Sequence, residues 1–124
     1  MSNAQALVEQ LRERHGDGLR VVATYNEEGY DIHYIDENAT DAYTTADFEN
    51  IHDDVVLQDI EQPFQESLFH ELGEIRGKLR LFEDGLVAHF WPTGDMSDGA
   101  FVVFGTDTEV APRALLTLAE QHYG

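Results

Sequence analysis

The most concentrated positive charge in this chain lies in a short stretch where cations occupy every second position. Arg76, Lys78 and Arg80 supply three of only seven basic residues, against 25 acidic ones. At a spacing of two, side chains project from one face of a β-strand. Such a row of cations suits contact with an anion or an acidic protein partner. It equally suits a structural role, in which the cations pair with neighbouring carboxylates or protect a sheet edge.

Histidine and carboxylate residues stand one helical turn apart at two places, a spacing that can bind a metal ion. These residues are Glu66 with His70, and Glu49 with His52, Asp53 and Asp54. The pair His70-Glu71 begins like a zinc-protease motif, but Glu74 occupies the position of the second histidine. Because a chain with 25 carboxylates produces such spacings by chance, we predict no metal site and no cofactor.

Catalytic patterns are missing from the sequence. It contains no cysteine, no Gly-x-Ser-x-Gly motif and no phosphate-binding glycine motif. Asp95 and Asp98 share one loop, which lacks the ligand spacing of a calcium-binding loop. His33 and His89 fall on predicted strands among apolar neighbours, which favours structural histidines. We therefore predict a protein that is not an enzyme.

The net charge of −18 predicts a halophilic protein, because molar salt shortens the screening length to about 3 Å and removes the self-repulsion. The alternative is an acidic protein with a basic partner. The charge argues against nucleic acid and against anionic membranes as partners. The chain also shows no apolar run of about 18 residues and no secretion-signal pattern. These features predict residence in the cytoplasm.

The first third of the chain predicts a helix followed by a β-hairpin. Apolar residues recur with helical spacing over Asn3–His15, with Ser2 or Asn3 as the cap and Gly16 as the stop. Leu19–Tyr25 and Tyr30–Ile35 alternate in the manner of strands, and Gly29 supplies the turn between them.

The region Asp36–Gly73 predicts a broken helical segment. A first helix is expected to begin at Thr44 or Thr45 and to carry the apolar residues Phe48, Ile51, Val55 and Val56. Because proline suits a first turn better than a helix interior, a second helix is predicted to begin at Pro63. Its inward-facing residues are predicted to be Phe64, Leu68 and Leu72.

Three apolar runs between Gly77 and Gly105 predict a three-stranded meander with turns at 83–85 and 93–99. The last run, Ala100 to Phe104, is apolar on both faces and therefore needs cover on both sides. A final helix with Pro112 near its first turn is predicted to be capped by Asp107 or Thr108. Its predicted apolar face comprises Ala114, Leu115, Leu118 and Ala119.

These elements predict a single α+β domain over residues 1–124, in the order α-β-β-α(broken)-β-β-β-α. Element order resembles the roadblock/longin fold, in which an antiparallel five-stranded sheet lies between a central helix and two terminal helices; profilin-like, PAS and GAF sandwiches are close alternatives. Locally, Leu19–Val22 and Leu79–Phe90 resemble small haloarchaeal domains of unassigned function. The roadblock resemblance implies a homodimer that serves as a platform for a signalling partner.

Two functions are therefore expected, with an enzyme that lacks a recognised motif as a third alternative. The first is a non-enzymatic interaction or regulatory domain with a protein partner, its contact residues being Arg76, Lys78 and Arg80. The alternative is a small-ligand sensor with a PAS- or GAF-like pocket, which requires an apolar cavity of roughly 300 Å³ or more. The strand aromatics that would line such a pocket, or alternatively pack in the core, are Tyr25, Tyr30, Tyr34, Phe82, Phe90 and Trp91.

Overall fold

The computed structural model describes residues 4–26, 28–36, 45–91, 98–105, 108 and 110–123. Within these ranges the chain forms three α-helices, two short 3-10 turns and five strands. They are α1 (Ala4–His15), a turn (Gly16–Gly18), β1 (Leu19–Asn26), β2 (Gly29–Ile35), α2 (Thr45–Leu68), a turn (His70–Leu72), β3 (Gly77–Phe82), β4 (Gly85–Phe90), β5 (Gly99–Gly105) and α3 (Pro112–Tyr123). The predicted α+β class is confirmed.

The five strands form one open antiparallel sheet in the order β2-β1-β5-β4-β3. The predicted hairpin and the three-stranded meander are both confirmed. Strand β5 lies at the centre, between β1 and β4, and its residues are buried on both faces as predicted. Strands β2 and β3 are the two edges, so any unpaired edge of the sheet belongs to one of these two strands.

Helices α1 and α3 cover one face of the sheet. Leu7 and Leu11 of α1 and Leu115 and Leu118 of α3 pack in a single core with the sheet. The strand residues of that core are Leu19, Val22, Ala88, Phe90, Val102 and Phe104. A register shift between Leu19 and Val21 places Leu19 on this face together with Val22. Simple alternation along β1 had predicted these two residues on opposite faces.

Helix α2 covers the opposite face. Ile51, near its beginning, packs against Tyr25, Trp91 and Phe101 and against a second small group of β-branched and small residues. That second group comprises Val21, Ala23, Ile35 and Val103. We refer below to the α2 face and the α1/α3 face of the sheet.

The prediction of a broken central helix is wrong, because α2 runs without interruption from Thr45 to Leu68 with Pro63 inside it. A proline removes one helical hydrogen bond and crowds the preceding turn, and the bonds on either side of it outweigh that loss. Phe64, Leu68 and Leu72 were predicted to face inward. They are instead 63%, 55% and 74% exposed.

The C-terminal helix begins at Pro112 and buries Leu115, Leu118 and Ala119 as predicted. Thr108 lies four residues before it and is not its cap, which corrects that prediction. Other predicted features lie outside the described residues or side chains. They are the caps at Ser2, Asn3, Thr44, Thr45 and Asp107, the helix side chains Phe48, His52, Asp54, Val55 and Val56, and Asp95 with most of the 93–99 turn.

Candidate interaction surface

Strand β3 lies at the edge of the sheet and carries Lys78 and Arg80, two of the three cations that the sequence singles out. Lys78 is paired with His89, and Arg80 with Val87. Since directly opposed residues share a face, Lys78 and Arg80 lie on the α2 face. Arg76 precedes the strand, but its carbonyl accepts a 3.0 Å hydrogen bond from the Trp91 N–H and extends the pairing by one residue.

Alternate residues of β3 direct their backbone groups away from β4, toward the side of the strand that no described strand pairs with. In an antiparallel ladder, opposed residues alternate between hydrogen-bonded and non-bonded pairs. Because Arg76 and Trp91 form a hydrogen-bonded pair, every second residue from Arg76 onward also bonds to β4; these are residues 76, 78, 80 and 82. Gly77, Leu79 and Leu81 therefore direct their N–H and C=O groups away from the sheet. No strand among the described residues pairs with this side of β3.

A second exposed feature is the apolar end of α2, by which we mean Phe64 and Leu68 of the helix together with Phe69 and Leu72, which directly follow it. Phe69 is 60% exposed, close to the values for the other three. Four large apolar side chains thus lie open to solvent within nine consecutive residues. Leu81 and Phe82 of β3 are also exposed. Single exposed apolar residues are ordinary, but a concentration of this kind marks an interaction site.

The connection between α2 and β3 is held in place through the backbone of Ile75. Its N–H donates a 2.8 Å hydrogen bond to Glu66 Oε2 on α2, and its C=O accepts a 2.6 Å bond from Trp91 Nε1. Next to it, Arg76 Nη1 lies 2.7 Å from Glu74 Oε2, an ion pair without hydrogen-bond geometry. The apolar end of α2 and the β3 edge are thereby fixed side by side.

The segment 63–82 that contains both features is balanced in charge. It holds three acidic residues, Glu66, Glu71 and Glu74, and three basic ones, Arg76, Lys78 and Arg80. Of the 25 acidic and seven basic residues, 22 and four therefore lie elsewhere and carry the whole net charge of −18. The exposed apolar side chains coincide with the stretch where the acidic field is locally compensated.

A groove of about 450 Å³ lies on the α1/α3 side of this region. It is lined by Phe69 and Leu72, which follow α2, by Leu79 of β3, and by Arg113 and Leu116 of α3. Among the strand aromatics, Phe90 lines this groove, while Tyr25 and Trp91 are buried in the core. A second groove of about 350 Å³ is lined by α1 and Tyr34.

His89 is the buried polar residue of the described core, with 1% of its surface exposed. A 2.5 Å hydrogen bond joins its Nε2 to the Tyr25 hydroxyl, and its ring stacks on Phe101 with centroids 4.3 Å apart. Its Nδ1 has no hydrogen-bond partner among the described residues. Burial, aided by the charges of Arg80 and Lys78, lowers the pKa of His89 to about 3. His89 is consequently neutral at neutral pH.

Of the described residues considered for metal binding, Glu66 is engaged by another contact, and Glu49, Asp53 and His70 are exposed. Glu66 accepts the Ile75 N–H, as described above, and His70 is exposed in the turn after α2. The described side chains contain no group of three or more histidine and carboxylate residues placed to hold a metal ion. His33 Nε2 lies 2.7 Å from Thr24 Oγ1, in keeping with the structural role predicted for it.

The sequence predicted the cations of this surface but missed its apolar part. Phe64, Leu68 and Leu72 recur at a spacing of four, and that periodicity identifies a helix face without saying whether it is covered. The signal that could have indicated this surface is composition, because residues 63–82 contain only three acidic residues and an equal number of basic ones.

Together the fold and the surface define an α+β domain with one open strand edge beside an exposed apolar helix end. A family profile, described as a domain of unknown function (DUF7522), matches residues 5–124. The chain belongs to this family. No curated protein and no solved structure matches the chain. Within the described residues, every helix is too short or too polar to cross a membrane.

Proposed function

We propose that this chain is a non-enzymatic interaction and regulatory domain that dimerises through the apolar end of α2 and serves as an assembly platform. The observation that carries the proposal is the exposure of Phe64, Leu68, Phe69 and Leu72 in the charge-balanced segment. The acidity of the remaining surface supports action in a salt-rich cytoplasm, where the repulsion is screened.

The charges favour a second copy of this chain as the partner that packs on the apolar end of α2. Two molecules with a net charge of −18 repel one another over most of their surfaces, and the compensated segment is where that repulsion is weakest. Phe64 and Leu68 lie one turn apart on α2, so the same helix face can pack on itself about a two-fold axis.

The area of the patch is also suitable for self-association. At about 200 Å² for each large side chain, the four residues expose on the order of 500 Å² of apolar surface. A standard interface buries about 800 Å² on each partner. The patch would therefore form the core of a dimer interface, surrounded by polar residues such as Gln65 and Ser67.

The layer arrangement supports a roadblock/longin- or profilin-like interpretation of the fold. A central helix lies on one face of the sheet and the two terminal helices lie on the other. A small-ligand sensor gains less support, because it needs a closed apolar cavity lined by the strand aromatics, whereas the described grooves are open. Phe90 lines one groove and Tyr34 the other, and Tyr25 and Trp91 pack within the core.

Sedimentation velocity in about 1 M KCl tests the dimer with two matched variants. Leu68→Glu places a charge in the proposed interface, and Ile32→Glu adds the same charge at the exposed Ile32 on the opposite sheet edge. We expect Leu68→Glu to weaken the dimer by at least about tenfold. Ile32→Glu should leave it intact. A monomeric wild type, or equal effects of the two variants, would refute the proposal.

A further inference from the structure

We propose that the open edge of β3 binds an extended segment of a different protein, in which acidic and apolar residues alternate. This inference shares with the proposed function the premise that the chain is an interaction domain. It rests mainly on β3, shares only Phe69 and Leu72 with the proposed dimer interface, and does not require the dimer. It names the class of partner that the β3 edge recognises.

The backbone of β3 supplies the first part of the recognition. Gly77, Leu79 and Leu81 direct their N–H and C=O groups outward, and no described residue bonds to them. An extended segment laid along β3 would satisfy these groups by continuing the sheet, as in β-strand addition. The strand spans six residues, which sets the length of segment that it can pair.

The two faces of β3 supply the second part, because they differ in chemistry. Lys78 and Arg80 lie on the α2 face, whereas Leu79 and Leu81 lie on the α1/α3 face opposite Ala88 and Leu86. In an added strand, residues opposite the cations gain from negative charge, and residues opposite the leucines gain from apolar surface. The favoured segment therefore alternates acidic and apolar side chains.

The groove beside Leu79 gives the apolar side chains of that segment a place to pack. Leu79, Phe69, Leu72 and Leu116 line this groove of about 450 Å³ on the α1/α3 side. A large apolar residue opposite Leu79 would extend toward it. The charged residues of the groove's lining are three cations, Arg76, Lys78 and Arg113, and two carboxylates, Glu66 and Glu74, so positive charge exceeds negative charge by one.

Pairing of β3 with a second copy of itself is disfavoured by the same cations. In a two-fold antiparallel pair, each face of β3 continues into the same face of the second copy. If Leu79 lay opposite Leu79 of the second copy, Lys78 would therefore lie opposite its Arg80. Placing Arg80 on the axis would set it opposite itself. Like charges in direct opposition destabilise a strand pair, and charged edge strands are a common defence against self-pairing.

The test measures binding of fluorescent eight-residue peptides by anisotropy in about 1 M KCl, where the long-range repulsion between the acidic surface and an acidic peptide is screened. The acidic peptide alternates Val and Glu, and the matched basic peptide alternates Val and Lys. Two protein variants accompany the wild type. Leu79→Pro removes an outward N–H that is not bonded to β4, a position where an edge strand tolerates proline. Lys78→Glu/Arg80→Glu reverses the charge of the α2 face of β3.

We expect the wild type to bind the acidic peptide at least about tenfold more tightly than the basic one. The charge-reversed variant should prefer the basic peptide, and Leu79→Pro should lose both while its circular dichroism spectrum stays unchanged. Equal binding of the two peptides, no binding, or undiminished binding by a folded Leu79→Pro would overturn the inference. If Leu79→Pro does not fold, the test depends on whether Lys78→Glu/Arg80→Glu reverses the preference between the acidic and the basic peptide.

The same titration on Leu68→Glu separates this inference from the proposed dimer. Peptide binding that persists in a monomeric Leu68→Glu supports the β3 inference independently. A wild type that is monomeric yet prefers the acidic peptide would refute only the dimer, and a dimer without peptide preference would refute only the β3 inference.

Discussion

At the scale of single residues, His89 makes the fold sensitive to acid. Its side chain is enclosed by Tyr25, Trp91 and Phe101, and its pKa is lowered to about 3 because the charged form is desolvated. In the unfolded chain its pKa returns to the ordinary value of about 6.5. Between these two values the unfolded state binds the proton and the folded state does not, so stability falls as the pH falls.

We therefore predict that His89→Gln flattens the pH dependence of the free energy of unfolding between pH 7 and pH 4. The histidine contributes a loss on the order of 3 kcal/mol over this range in the wild type, and the glutamine amide does not titrate. Urea denaturation at each pH, in molar salt, measures the difference. His70→Gln, at an exposed histidine, is the control and should keep the wild-type slope. Identical slopes in all three proteins would contradict this account of His89.

At the same scale, the interior positions of Tyr25, Phe90 and Trp91 were predictable, whereas Phe82 is exposed and the environment of His89 was not predictable. Alternation along β1 and β4 places Tyr25 and His89 on inward-facing positions, and the structure joins them by a hydrogen bond. Their pairing depends on β5 lying between β1 and β4. Local sequence does not encode which strands become neighbours, so the partner of a buried histidine is a property of the assembled sheet.

At the scale of elements, the link between α2 and β3 depends on a few hydrogen bonds to one residue. Glu66 and Trp91 together satisfy both backbone groups of Ile75. Hydrogen bonds to a charged group contribute more than neutral ones, and loss of a partner leaves the Ile75 N–H unsatisfied. The position of the exposed helix end relative to the β3 edge should depend on this contact.

We predict that Glu66→Ala lowers the free energy of unfolding by about 2 kcal/mol. Trp91 is the single tryptophan of the chain and its indole bonds the same residue, so its fluorescence reports the transition directly. Glu71→Ala removes an exposed carboxylate five residues further along and should change stability by less than about 0.5 kcal/mol. Equal effects of the two variants would show that the Glu66–Ile75 bond does not hold the connection.

The elements also show why the strands were predictable and the central helix was not. Each strand has alternating or continuous apolar residues bounded by turn residues, and those local signals survive in the fold. For α2, the proline rule predicted a break, but a helix packed on a sheet can retain a proline at the cost of one hydrogen bond. At 100° per residue, Phe64 lies about 140° around the axis from Ile51, which is why it faces solvent once Ile51 faces the sheet.

At the scale of the whole molecule, charge determines the conditions in which the domain is stable. Outside the segment 63–82, acidic residues outnumber basic ones by 22 to four, and their mutual repulsion opposes the compact state. We predict that the melting temperature rises steadily from low salt to about 1 M KCl, measured by circular dichroism. A melting temperature that is insensitive to salt over this range would contradict the halophilic interpretation.

We propose that copies of this chain meet at the charge-balanced segment with its exposed apolar helix end. Hydrogen–deuterium exchange of the unmodified protein in about 1 M KCl, compared at low and high protein concentration, measures whether this segment is covered on self-association. We predict that peptides covering residues 63–72 become more protected at high concentration, while those covering α1 and β2 do not change. Exchange that is independent of concentration, or protection confined to α1 or β2, would contradict the claim.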